Sequence, residues 1–116
     1  MDITKIKNDG LGKPIAYYKT FADITGCVNS GLLLSQCLYW TPRSSLKDGW
    51  FWKSMSAWEE ELGLTRYQLQ SARKKLVKKG FMEESRKGKR PGADMHYKLN
   101  VDVIYAAIIE QKTEEN

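Results

Sequence analysis

Apolar positions are densest between residues 31 and 40. Leu32, Leu33, Leu34, Cys37, Leu38 and Trp40 fall on nearly every side of a helical wheel, which marks a buried central helix. Asn29 or Ser30 can cap its start. Thr41-Pro42 closes it, because proline cannot continue the ladder and restricts the residue before it. Upstream, residues 1–13 carry two glycines, scattered lysines and no periodicity, as a flexible arm would. Pro14-Ile15-Ala16-Tyr17-Tyr18 reads as extended, and a short helical turn over Thr20–Thr25 is expected to end at Gly26.

Downstream the period changes twice. Arg43–Gly49 is a polar loop, and Trp50-Phe51-Trp52-Lys53 is aromatic enough for a short strand. Ser54 can cap a helix whose apolar Met55, Trp58 and Leu62 are spaced three and four apart. Glu59, Glu60 and Glu61 are expected on its outer side. Consecutive side chains on a helix diverge, so they read as a solvated face rather than a metal site. After the turn Gly63-Leu64, Thr65-Arg66-Tyr67-Gln68 is a capping box opening a helix to Lys79, which Gly80 closes. Leu69, Ala72 and Leu76 form its inward stripe, while Tyr67, Gln70, Ser71, Lys74 and Lys78 lie opposite. Phe81–Ser85 is a strand with imperfect alternation. Residues 86–92 make a basic turn, and Met95-His96-Tyr97-Lys98-Leu99 closes a hairpin. Asn100 can cap a last helix striped by Val101, Ile104, Tyr105, Ile108 and Ile109, before a glutamate-rich tail expected to fray. The division implied is an arm at 1–13, a folded unit at 14–112 and an acidic tail at 113–116.

Charge adds a direction to this outline. The net charge is +5, but Arg66–Arg90 alone holds ten cations against two acids, leaving the remainder net negative. One concentrated basic patch is the footprint of a phosphate binder. With 41 % apolar residues, a core can form without disulfides. The two cysteines, Cys27 and Cys37, sit among apolar neighbours as small hydrophobes. No run is long enough to span a membrane and no leader pattern opens the chain, so a cytoplasmic protein without membrane contact is expected. No phosphate-cradling glycine loop occurs, His96 has no nucleophile beside it, and Glu110-Gln111-Lys112 only echoes a nuclease triplet. The chain reads as a non-enzyme without cofactor or metal.

The run Trp58-Glu59-Glu60-Glu61-Leu62-Gly63-Leu64-Thr65, followed by Leu69 and Ala72, resembles a helix-turn-helix. It departs from the common form in carrying Glu59 where a small residue is usual. The resemblance implies a second helix projecting into a DNA major groove. There Gln70 would pair with adenine, and Lys74 and Lys78 would reach guanine or phosphate. Arg66, Tyr67, Ser71 and Lys75 complete the candidate surface. The following hairpin resembles a wing, with Lys87, Lys89 and Arg90 placed to touch flanking phosphates. The implied fold is α+β and mostly helical: a winged helix-turn-helix with a β-hairpin wing and an additional C-terminal helix.

From roughly Pro14 to Ile104 the chain also resembles winged-helix proteins that phages and other mobile elements encode near their replication functions. The matching pieces include Pro14-Ile15-Ala16-Tyr17-Tyr18, Leu34-Ser35-Gln36-Cys37-Leu38-Tyr39-Trp40 and Gly49-Trp50-Phe51-Trp52-Lys53-Ser54. They continue in Gly63-Leu64-Thr65-Arg66, Ala72-Arg73-Lys74-Lys75-Leu76 and Tyr97-Lys98-Leu99-Asn100. That likeness implies a double-stranded-DNA-binding module of a replication initiator or regulator. The alternatives are a transcriptional repressor, or an interaction protein serving as replication adaptor or inhibitor of host defence. In an interaction protein Trp50, Trp52 and Tyr67 would matter more than the lysines. The C-terminal stripe exceeds what a fraying helix needs, so it either packs on the chain's own core or joins a homodimer.

Overall fold

The computed structural model describes residues 2–86 and 95–115. In chain order they form α1 (Ile3–Asp9), α2 (Lys19–Thr25), α3 (Val28–Trp40), β1 (Trp50–Lys53), α4 (Met55–Leu62), α5 (Arg66–Lys78), β2 (Met82–Arg86), β3 (Met95–Leu99) and α6 (Val101–Glu115). A single 3₁₀ turn over Thr41–Arg43 follows α3, with Pro42 where the helix must stop.

Helix α3 sits at the centre, packed against α2, α5 and β3. It starts earlier than the capping residues suggest, at Val28, with Cys27 in the cap position and no side-chain cap bond. The link from α2 is only two residues long, because the N–H groups of Gly26 and Cys27 both donate to Ala22 O. Gly31 lets α2 and α3 touch: a Cβ there would lie 2.8 Å from the Ala22 nitrogen. Burial on α3 is not all apolar, as the sequence suggested. Leu33, Leu34 and Cys37 are buried, but Leu32 and Trp40 are half-buried and Leu38 is exposed. Ser30, Ser35 and Gln36 are buried instead. Ser35 Oγ donates to Ala16 O at 2.9 Å, tying the extended 14–18 segment across the helix.

The three strands form one antiparallel sheet in the order β1-β3-β2. Tyr97 lies opposite Phe51 on one side and Glu84 on the other. Phe51, Tyr97 and Trp58 pack ring against ring, with centroids 5.5–6.2 Å apart, and they join α4 to the sheet. The uneven alternation of β2 has a cause. Met82 and Glu84 share a face, and Glu84 lies only 2.6 Å from the Arg73 guanidinium of α5.

Both ends of the chain differ from expectation. Residues 3–9 are helical rather than irregular, because Asp2 caps the Thr4 N–H at 3.1 Å, yet none of them is buried. Helix α6 continues through Glu115, into the tail expected to fray. At its start the Asn100 side-chain amide donates to Gly80 O at 2.7 Å, fastening α6 to the end of α5.

The two cysteines also part company. Cys37 is fully buried, and desolvation pushes its thiol far above the ordinary range. Cys27 is half-buried, and hydrogen bonding from the Ser30 backbone lowers its thiol. In the native protein an aromatic disulfide reagent is therefore expected to modify one thiol quickly, and two only after unfolding. Equal fast reaction of both would show that α3 is not buried as described.

Candidate nucleic-acid interface

Helices α4 and α5 are joined by a turn built from local bonds. Ser54 Oγ accepts the Ala57 N–H at 3.1 Å to start α4. Gly63 ends α4 at φ 70°, a left-handed conformation that costs glycine little. Thr65 and Gln68 then bond reciprocally: Thr65 Oγ1 accepts the Gln68 N–H at 3.1 Å, and Gln68 Oε1 accepts the Thr65 N–H at 2.9 Å. Gln68 is thereby committed to the cap. Glu59, the departure from the common motif, faces across this turn and accepts from Arg66 Nε at 3.1 Å. The two helices are thus linked by an ion pair where a small residue would otherwise sit.

Leu69, Ala72 and Leu76 are buried, fixing the inner face of α5. On the outer side Tyr67, Gln70, Ser71, Lys74, Lys75 and Lys78 are all exposed, and together they line one shallow groove of about 270 Å³. Tyr67 is 81 % exposed. Arg66 is also exposed, but its guanidinium is engaged by Glu59. Lys87, Lys89 and Arg90 of the expected hairpin tip lie outside the described residues. The strands that carry the tip, β2 and β3, are paired in register from Met82↔Leu99 to Arg86↔Met95.

The basic segment divides once partners are assigned. Arg73 belongs to the interior, with Nε donating to Glu84 at 2.7 Å and both side chains less than one-fifth exposed. Lys74, Lys75, Lys78, Lys79 and Arg86 point to solvent.

Sequence reasoning missed one polar cluster. Glu61 is not on the outer side of α4. Its carboxylate meets Lys53 Nζ at 2.6 Å and accepts from Gln36 at 2.8 Å and from the Trp40 indole at 3.0 Å. Lys53 in turn lies 4.1 Å from the Trp40 ring centroid. The signal was present: Glu61 falls about 60° from Trp58 on the helical wheel, beside the inward stripe. What periodicity could not supply was the lysine on β1 that compensates this half-buried charge. Among the described residues no group of three or more His, Cys, Asp or Glu could hold a metal ion, and no helix is long and apolar enough to cross a membrane.

No protein-family model matches the chain, and no curated protein matches it. Among solved structures it is similar to a possible transcriptional regulator from Methanosarcina mazei Go1. The two are 16 % identical, with a TM-score of 0.54 over 84 % of this chain and 79 % of that one. The likeness agrees with the element order derived above: a central helix, a short strand, two helices joined at Gly63, and a two-stranded hairpin returning beside the first strand. The fold is a winged helix, mostly helical, with a further helix after the wing.

Proposed function

We propose that this chain is a non-enzymatic double-stranded-DNA-binding protein that reads the major groove with α5 and grips flanking backbone with its wing. The supporting observation is the solvent face of α5. Gln70, Ser71, Lys74, Lys75 and Lys78 are exposed around one groove on a helix whose opposite face is wholly buried. Gln70 has the paired donor and acceptor that match adenine, and the lysines supply phosphate or guanine contacts. Lys87, Lys89 and Arg90, which lie between β2 and β3 in the sequence, add three further cations to the same basic segment. A role in regulation accords with the likeness to the possible transcriptional regulator from Methanosarcina mazei Go1. A role in phage or mobile-element replication accords with the sequence resemblance between Pro14 and Ile104.

Titrating a labelled duplex at several salt concentrations tests this directly. With Arg73 held by Glu84 and Arg66 by Glu59, the remaining cations of the basic segment can neutralise about six phosphates, for a log–log salt slope of roughly −5. Absence of binding to any duplex at low salt would overturn the proposal.

A further inference from the structure

The polar cluster around Glu61 borders a cavity that the proposed function does not use. The cavity holds about 600 Å³, within the range of small-molecule sites, and lies between residues 13–18, α3 and the last turn of α4. Ile15, Tyr18, Tyr39 and Trp40 supply apolar and aromatic wall, and Gln36 and Glu61 supply polar groups. It shares no lining residue with the groove on α5, so what it binds is independent of DNA.

The polar groups restrict what can enter. Glu61 already meets Lys53, Gln36 and the Trp40 indole, so its charge is compensated within the fold. Gln36 is 7 % exposed, and its Nε2 is committed to Glu61 at 2.8 Å. That bond fixes the amide, and Gln36 Oε1 accepts no hydrogen bond from any described residue. A ligand N–H would satisfy it. Lys13, also on the wall, forms no ion pair among the described residues. Of the two charged wall residues only Lys13 is therefore uncompensated, which favours an anionic ligand. The aromatic side chains favour a flat ring over an aliphatic chain.

We propose that this cavity binds a small planar aromatic acid, its ring against the aromatic wall, an N–H on Gln36 Oε1 and its carboxylate on Lys13. The wall is held in place before any ligand arrives. Ser35 Oγ fastens residues 14–18 to α3 through Ala16 O, and the Gln36–Glu61 bond joins α3 to α4. Lys13 is exposed, so its ion pair is screened and binding is weak, with a Kd on the order of hundreds of micromolar.

An amide NMR titration of the whole chain with indole-3-acetate, which carries a ring, an N–H and a carboxylate, tests the proposal. Shifts are expected at residues 13–16, 35–40 and 61, approaching saturation by about 5 mM. No shifts, or shifts confined to the α5 groove, would overturn it. Tryptamine, an indole bearing an ammonium in place of the carboxylate, should bind at least about fivefold more weakly. Equal or tighter binding of the amine would defeat the assignment to an acid. Lys13→Ala should weaken indole-3-acetate about threefold and leave uncharged indole unchanged. A loss shared equally by indole would refute the carboxylate contact. Leu38→Glu, at a wall position that is 47 % exposed, should abolish binding of the acid with the circular dichroism unchanged. Undiminished binding to that variant would place the ligand elsewhere and sink the proposal.

Discussion

Replacing Trp58 with alanine is expected to destabilise the fold by about 3–5 kcal/mol, the usual cost of truncating a fully buried large aromatic. Trp58 is the largest side chain that is wholly buried. Its ring packs edge-on against both Phe51 of β1 and Tyr97 of β3, at 6.2 and 6.1 Å between centroids. No neighbouring side chain can fill the vacancy without leaving its own rotamer, because Leu33, Leu34, Leu69 and Leu76 around the same core are themselves fully buried. A loss of this size is a large share of the stability of a domain of this length and should lower the melting temperature by roughly 10–25 °C. The matched control is Trp52→Ala. That tryptophan is 54 % exposed, so its removal should change stability by no more than about 0.5 kcal/mol. Urea or thermal unfolding of the two variants checks the pair. A loss below about 1 kcal/mol for Trp58→Ala would mean that α4 is not anchored to the sheet as described.

The second large effect separates base reading from backbone contact, and it rests on the proposed DNA-binding function. Gln70 is exposed in the first half of α5, lining the same groove as Ser71 and Lys74. Gln70→Ala should cost about 1–3 kcal/mol on the preferred site and much less on random duplex. Lys89 and Arg90 lie between β2 and β3 in the sequence, where a wing reaches phosphates without a fixed register. Changing both to alanine should weaken specific and random DNA by similar factors and make the salt slope shallower by about two. Gln70 is exposed, so the melting temperature of Gln70→Ala should barely move. Anisotropy titrations on both duplexes distinguish these patterns. Should both variants bind DNA as well as the parent while a protein partner is lost, the basic face is a protein interface and the DNA reading fails.

The helix-turn-helix was legible because its signals are local. A cap, a turn glycine and a three-four apolar spacing act within one or two helical turns, and each reappears in the structure at Thr65, Gly63 and Leu69-Ala72-Leu76. The same holds for β1 and β3, whose bounds match the aromatic and alternating runs that announced them. The exposed face of α5 followed automatically, since fixing one side of a helix fixes the other.

Charge partnership was decided elsewhere. Counted along the chain, Arg73 looked like part of the phosphate-binding patch and Glu61 like part of a solvated acidic face. The fold turns both inward, where Glu84 and Lys53 compensate them. Those partners come from other elements, 11 residues away for Arg73 and Glu84, and no periodicity within one helix contains them. A buried charge is tolerable only when an opposite charge and hydrogen bonds meet it in space. The packing of α3 shows the same limit: its apolar run foretold burial but not which residues would be covered, because the covering segments were α2 and residues 14–18. The sequence by itself determined the order of helices and strands from α2 to α6 and which face of α5 is free, but not helix α1, the start of α3 or the end of α6. Only the tertiary structure decided which charges are spent inside, because that depends on distances between segments that the chain brings together only once it has folded.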